Sequence, residues 1–235
     1  MLEGSNLLSQ LREDDQAILA SLAVREYRES GDVLYEPGDS VDYCYFPSGG
    51  AIGSFLVPLE TGLAVETVMI GREGALGGIV SNGNLPSYAR ACVMHGGQFY
   101  KIPIPRLDEA KRRSVNIRHL FDRYADCLMA QVFQSIACNA IHTIEQRAAK
   151  WLNAAIDRTG ECNITMTQEQ LASMMGIGRS YASRVIQRFK RDKLLNTRRG
   201  GIDVLDRAGL VARSCNCDEY VRGHFDTVLG GVYPD

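Results

Sequence analysis

The segment CNITMTQEQLASMMGIGRSYASRVIQRFKRDKLLNTRRGGIDVLD, residues 162–206, decides how this 235-residue chain is read. Thr167-Gln168-Glu169-Gln170 places a hydroxyl acceptor at a helix start and a Gln three residues on, the pattern of a capping box. It predicts a short helix that Gly176 stops, a turn through Ile177 and Gly178, and a second helix from about Arg179 to Lys193. A helix-turn-helix needs small or apolar residues at fixed offsets, because its second helix packs directly on its first, and a glycine where the turn takes positive φ. Leu171, Ala172, Met175, Gly176, Ile177, Ala182 and Val185 fill those positions. The outward positions of the second helix are Arg179, Ser180, Ser183, Arg184, Gln187 and Arg188, all polar and none acidic. Such a face suits the major groove, where Arg reads guanine and Ser or Gln reaches bases or phosphates. An ordinary helical hairpin with a solvated basic face is the alternative, and the position-specific matches count against it. Arg198-Arg199-Gly200-Gly201, set between Leu194-Leu195 and the strand-like Ile202–Leu205, predicts a two-stranded wing with arginines at its tip for phosphate contact. The expected DNA contacts are thus Thr167, Gly178, Arg179, Ser180, Ser183, Arg184, Gln187, Arg188, Arg198 and Arg199.

Charge supports this placement. The chain carries a net −2, which alone argues against a nucleic-acid binder. Residues 179–199, however, hold eight basic residues and one acid, Asp192. A concentrated basic segment in an acidic chain implies a local anion-binding surface.

Upstream of the segment, Thr143-Ile144-Glu145-Gln146 is a second capping box, opening a helix that ends at Gly160. It implies a break, and a hinge, near His142. Residues 114–141 contain neither Gly nor Pro and predict one long helix, apolar on more than one face. One stripe is Phe121, Ala125, Leu128 and Val132; a second is Met129, Phe133, Ile136 and Ala140. The β-rich region covers one side, and a second copy of the helix is the economical cover for the other, so Phe121, Leu128 and Val132 are expected at a homodimer interface. Residues 14–22 predict a short helix, with Asp14 and Asp15 complementing its dipole. From about Ala23 to Pro103, short Val/Ile/Tyr/Phe runs are cut by turn residues, and SFLVPL with LAVETVMI reads as a hairpin.

The expected fold class is therefore α+β: an N-terminal antiparallel β-barrel or jelly roll in 1–113, a long dimerisation helix and hinge in 114–142, and a winged helix-turn-helix in 143–235. No run reaches the roughly 18 apolar residues of a membrane span, and the N-terminus lacks a signal-peptide pattern. Seven scattered cysteines fit a reducing cytoplasm better than a disulfide framework. Cys215-x-Cys217, with His224 beyond it, falls short of a metal-ligand set by spacing alone; Cys127 and Cys138 read as small apolar fillers of the long helix, and His95 and His142 as bland. No metal and no cofactor is expected. No Ser/His/Asp order, phosphate loop or HExxH motif points to an enzyme.

The order of small barrel, long helix, hinge and winged helix resembles the Crp/Fnr family of bacterial regulators over nearly the whole chain. GDVLYEPGDSVDYCYFPSGG, residues 31–50, resembles the family's opening strands, and Ser183-Arg184 matches the base-reading part of its recognition helix. The resemblance implies a double-stranded DNA operator, a homodimer, RNA polymerase as a further partner, and a small-molecule effector or none. Where many members carry a Glu three residues before that Ser, this chain has Ser180, so the operator differs there. The effector pocket falls on Glu73, Gly74, Ala75, Ser87, Tyr88 and Arg90. Cyclic-nucleotide members hold ribose with the Glu of a Gly-Glu-Leu turn and phosphate with an Arg. Here Gly74-Ala75-Leu76 lacks the Glu and Ser87 stands at the Arg position, with Arg72 and Arg90 the nearest cations, so cyclic AMP is not the expected ligand. Pro-Ser-Tyr-Ala-Arg-Ala, residues 86–91, is closer to the oxygen-sensing branch, but the first cysteine is Cys44 and that branch's N-terminal cluster ligands are missing. The rival expectation is a small-molecule or redox sensor whose helix-turn-helix docks protein rather than DNA.

Overall fold

The computed structural model describes residues 2–234. Its N-terminal half starts with α1 (Asn6–Ser9) and α2 (Glu13–Leu22) and continues into seven strands. β1 (Val24–Arg28), β7 (Gly97–Pro103) and β3 (Tyr43–Ser48) form one antiparallel sheet in the order β1-β7-β3. β2 (Val33–Tyr35), β6 (Arg90–His95), β4 (Ile52–Pro58) and β5 (Ala64–Ile70) form the other, in the order β2-β6-β4-β5. β4 and β5 are the expected hairpin, pairing from Gly53 with Ile70 to Pro58 with Ala64. Tyr45 and Phe99 of the first sheet meet Tyr35, Val68, Ile70 and Val93 of the second, so apolar side chains fill the space between the sheets.

After α3 (Ile104–Arg113), the long helix α4 spans Val115–Ile141. The Ser114 hydroxyl caps it, accepting from Ile117 N–H and donating to Asp15 at 2.6 Å. Asp15 is buried and also accepts from Asn116, so it ties α2 to the start of α4 beyond any dipole role. Phe121 and Tyr124 of α4 are buried against Leu7, Leu8 and Ile104. Tyr124 Oη accepts from Ala75 N–H at 3.0 Å, and Gly74 must lack a side chain because a Cβ there would run into the tyrosine.

Phe121 therefore departs from its expected place at a dimer face: it is 1% exposed in the chain's own core, and Leu128 and Val132 pack against the cluster between the sheets. The sheets take that stripe. Met129, Phe133 and Ile136, the second stripe, stand 48%, 63% and 63% exposed.

α4 ends at His142 and the Thr143 capping box starts α5 (Ile144–Thr159), which closes on Gly160 in the left-handed conformation. β8 (Asn163–Ile164), α6 (Gln168–Met174), α7 (Arg179–Arg191), β9 (Leu195–Arg198), β10 (Gly201–Val204) and α8 (Arg207–Arg213) follow. These elements share a core of Leu152, Ile156, Leu171, Val185, Ile186, Phe189, Ile202 and Leu210. The chain then leaves this unit. From α9 (Cys217–Val228) onward, Val221, Phe225, Leu229, Val232 and Tyr233 belong to the core around Phe121 and Tyr124, and Asn6 donates to the Val232 carbonyl at 2.9 Å. By packing, the winged unit covers about 143–214, inserted between α4 and α9, whereas the span expected from sequence ran to residue 235. Among the described residues no helix is long and apolar enough to cross a membrane.

Candidate nucleic-acid interface

Both helices of the motif form for the local reasons the sequence supplies. Thr167 Oγ1 accepts from Gln170 N–H, and Gln170 Oε1 accepts from Thr167 N–H. Gly176 lies at φ +67°, where a side chain would strain the backbone, and turns the chain out of α6. Ala182, Val185, Ile186 and Phe189 are buried, which fixes which face of α7 points outward. Gly178 caps α7 without a side chain, leaving that N-terminus open to an anion.

The expected contacts sort into three groups by what already holds them. Arg179, Ser180, Arg184 and Gln187 are exposed along one side of α7, and Ser183 is partly buried beside them. The Arg184 guanidinium lies over the Tyr181 ring, 5.1 Å from its centroid, which orients it without neutralising it. Arg188 instead binds Glu145 of α5. Arg213 completes that knot, bonding Glu145 at 2.7 Å and Asp192 at 2.8 Å. Arg188 thus sits on the scaffold as well as on the outer face. Sequence reasoning missed this, although the acid at Glu145 was in view.

At the wing, Arg198 pairs with Asp203 at 3.1 Å and reaches Asn163, so it is held inside the small sheet. Arg199 and Gly200 form the exposed turn between β9 and β10. Thr167, Arg179, Arg198 and Gly200 line one shallow cleft between the start of α6 and the wing. That arrangement brings phosphate-type donors together beside the exposed polar face of α7.

The six residues expected around an effector fall into two groups with separate partners. Glu73 is buried and its Oε1 accepts from Arg158 Nε at 2.8 Å and from Gly71 N–H at 3.0 Å. Gly74 and Ala75 pack on Tyr124. Ser87 donates to the Ala89 carbonyl, Tyr88 is 85% exposed and Arg90 pairs with Glu36 at 2.7 Å. No hydrogen bond or ion pair among the described residues joins the two groups.

Arg158 belongs to a seam between the winged unit and the N-terminal sheets. Its other nitrogens bond the Ala154 carbonyl and Tyr233 Oη, and Tyr233 donates to Asp218 at 2.7 Å. Trp151 Nε1 donates to both oxygens of Glu66, at 2.9 and 3.0 Å, and Ser173 of α6 donates to the Ala64 carbonyl. Burial pushes the Glu66 carboxyl above the usual glutamate range, against the pull of the Trp151 and Ser54 hydrogen bonds. The β5 edge thus holds the first helix of the motif. A separate surprise lies at the hinge. Cys138 and His142, expected to be a filler and a bland residue, converge there with the Cys215-x-Cys217 pair, which the sequence sets beside His224 instead.

Known proteins bear on this architecture. The family described as the Crp-like helix-turn-helix domain matches residues 146–213. The transcriptional regulatory protein btr of Bordetella pertussis is 23% identical over 197 residues, 77% of each chain. FixK2 of Bradyrhizobium japonicum shares the fold with a TM-score of 0.66 at 14% identity, covering 82% of this chain and 98% of its own. A regulator of the crp/fnr family from Eubacterium rectale gives 0.65 at 15% identity, covering 92% and 97%.

Proposed function

We propose that this chain, whose residues 146–213 match the Crp-like helix-turn-helix domain and whose fold is shared with crp/fnr regulators, is a transcription regulator of the Crp/Fnr type that acts as a homodimer on a palindromic DNA operator. α7 enters the major groove, with Arg179, Ser180, Ser183, Arg184 and Gln187 toward the bases and Thr167, Arg198 and Arg199 toward phosphate. The observation that carries this reading is the outer face of α7, exposed and without an acid over its length. Met129, Phe133 and Ile136 supply the dimer contact: burying such side chains is worth about 1.5–3 kcal/mol each, and within one chain they lie open to solvent. A signal at the N-terminal domain controls the dimer, and it is not cyclic AMP. Glu73, the acid next in sequence to Gly74-Ala75-Leu76, is already bound to Arg158, and Ser87 brings no charge for a phosphate.

Selection of duplexes from a random library tests this. The expected product is a two-fold symmetric motif with half-sites one turn, about 34 Å, apart. A pool that stays random at moderate salt overturns the reading and favours the protein-docking alternative.

A further inference from the structure

Cys138 lies in the last turn of α4 and His142 caps that helix; Cys215 lies in the short connection between α8 and α9, and Cys217 is the first residue of α9. Four side chains from two distant stretches thus meet at one point. The Cys138 and Cys215 sulfurs are 3.6 Å apart, and Cys217 Sγ is 3.4 Å from His142 Nδ1. All four donor atoms lie within 4.8 Å of one another. The three cysteines are buried at 1%, 7% and 3% exposure and form a small cluster of their own.

We propose that Cys138, His142, Cys215 and Cys217 hold one tetrahedral divalent cation of the zinc class, a structural site at the neck of the DNA-binding unit. Zinc–thiolate bonds of about 2.3 Å and zinc–imidazole bonds of about 2.0 Å give tetrahedral edges of about 3.8 Å between sulfurs and about 3.5 Å between sulfur and nitrogen. The two closest pairs match those edges. A cluster of several irons requires its thiolates spread around a larger body of metal and sulfide, which this spacing does not allow. Three soft thiolates with one imidazole select zinc over the oxygen-seeking cations, and four protein ligands leave no open position for chemistry. Cys217 is the first residue of α9, and Lys150 and Arg147 of α5 lie near enough to act electrostatically on the Cys138 and Cys215 sulfurs.

The position gives the site its role. The chain enters the winged unit after His142 and leaves it at Cys215. One cation held by residues on both sides pins the entrance and the exit together. It fixes the pivot about which the unit moves and restrains α9 against the end of α4.

Metal analysis of the purified full-length protein tests this independently of DNA binding. One zinc per chain is expected, released when a mercurial titrates the thiols. Metal-free, reduced protein titrated with cobalt(II) should show the intense visible bands of a tetrahedral thiolate site. Cys215→Ser with Cys217→Ser should abolish both signals, whereas Cys162→Ser, at an exposed cysteine away from the neck, should retain them. Zinc should also slow amide exchange at residues 138–144 and 213–219 of the wild-type chain, a readout that does not depend on the variants folding. Reduced protein that takes up no stoichiometric zinc and gives only the pale octahedral cobalt spectrum overturns the proposal. So does a native Cys138–Cys215 disulfide whose reduction confers no zinc binding.

Discussion

At the seam, Arg158 is 1% exposed and each of its three guanidinium nitrogens has a partner: Glu73, the Ala154 carbonyl and Tyr233. On α7, Arg179 and Arg184 stand exposed, and no acid of the described chain pairs with either. Both regions use arginine, and their difference separates charge that builds the molecule from charge held out for another. The same contrast divides α4, whose Phe121 side is buried at home while its Phe133 side is bare. Surfaces left unanswered within one chain are where partners belong. A count of basic or apolar residues cannot make that division.

The comparison breaks most visibly at Arg158. Removing one member of a buried pair strands the other, at a typical cost of about 3–5 kcal/mol. Arg158→Met should therefore lower unfolding stability by several kcal/mol in urea titration, with Glu73→Gln costing less because a neutral amide can still accept from Gly71 N–H. Combining Arg158→Met with Glu73→Met should recover part of the loss. A change within about 0.5 kcal/mol for the single Arg158 variant, the range of an ordinary surface substitution, would remove the seam from the stability of this fold.

Phe133 probes the other side of the contrast. Phe133→Asp should leave the monomer folded, since the ring touches solvent, yet place a charge in the dimer seam and forfeit roughly 1.5–3 kcal/mol of burial per protomer. Sedimentation should show a shift from dimer to monomer at micromolar concentration. Persistent dimers would move the interface elsewhere.

The arginines of the DNA face should show the smallest structural and the clearest functional effects. Arg184→Ala should flatten preference at one operator position by about 1–3 kcal/mol and leave unfolding unchanged. Arg199→Ala should weaken binding evenly across sequences and reduce the salt slope by about 1. Arg198→Ala should change the slope less, because Arg198 is held by Asp203 and Asn163. Equal slopes for the two would mean that the wing rearranges on DNA.

How much could be read beforehand follows the same line between local and long-range causes. The two capping boxes, the left-handed Gly160 and Gly176, the hairpin at β4–β5 and the wing are each specified by neighbours in sequence, and each stands where the sequence puts it. The apolar face of α4 was legible, but which stripe the sheets would take depends on the crossing of distant elements. Hence Phe121 went to the core and Phe133 to the surface. The tail after Ser214 offered no local sign that it would return to α4. That return, bridging 77 positions from Cys138 to Cys215, is also why the four ligands at the neck looked unrelated. The family resemblance places Glu73 in the effector pocket, and the sequence gives no local sign of its actual partner, Arg158, 85 residues away.

The smallest effect expected, and the one that tests the seam without dismantling it, belongs to Glu66. Burial holds its carboxyl above the ordinary glutamate value, while the hydrogen bonds from Trp151 and Ser54 and the charges of Lys150 and Arg158 pull the other way. Between the ordinary value and the raised one, the folded chain keeps a proton that the unfolded chain has released. The folded chain then binds more protons, and stability falls as pH rises. The contribution is complete below the ordinary value and gone above the raised one. Melting temperature should accordingly decline modestly as pH climbs through that window. Glu66→Gln should remove this component: its amide oxygen still accepts from Trp151, its NH₂ can donate to the Ser54 hydroxyl, and neither titrates. If the variant keeps the full pH slope of the parent, the acid-strengthened contact lies at another carboxylate, and Asp157, also pushed up by burial between α5 and α8, is the next to replace.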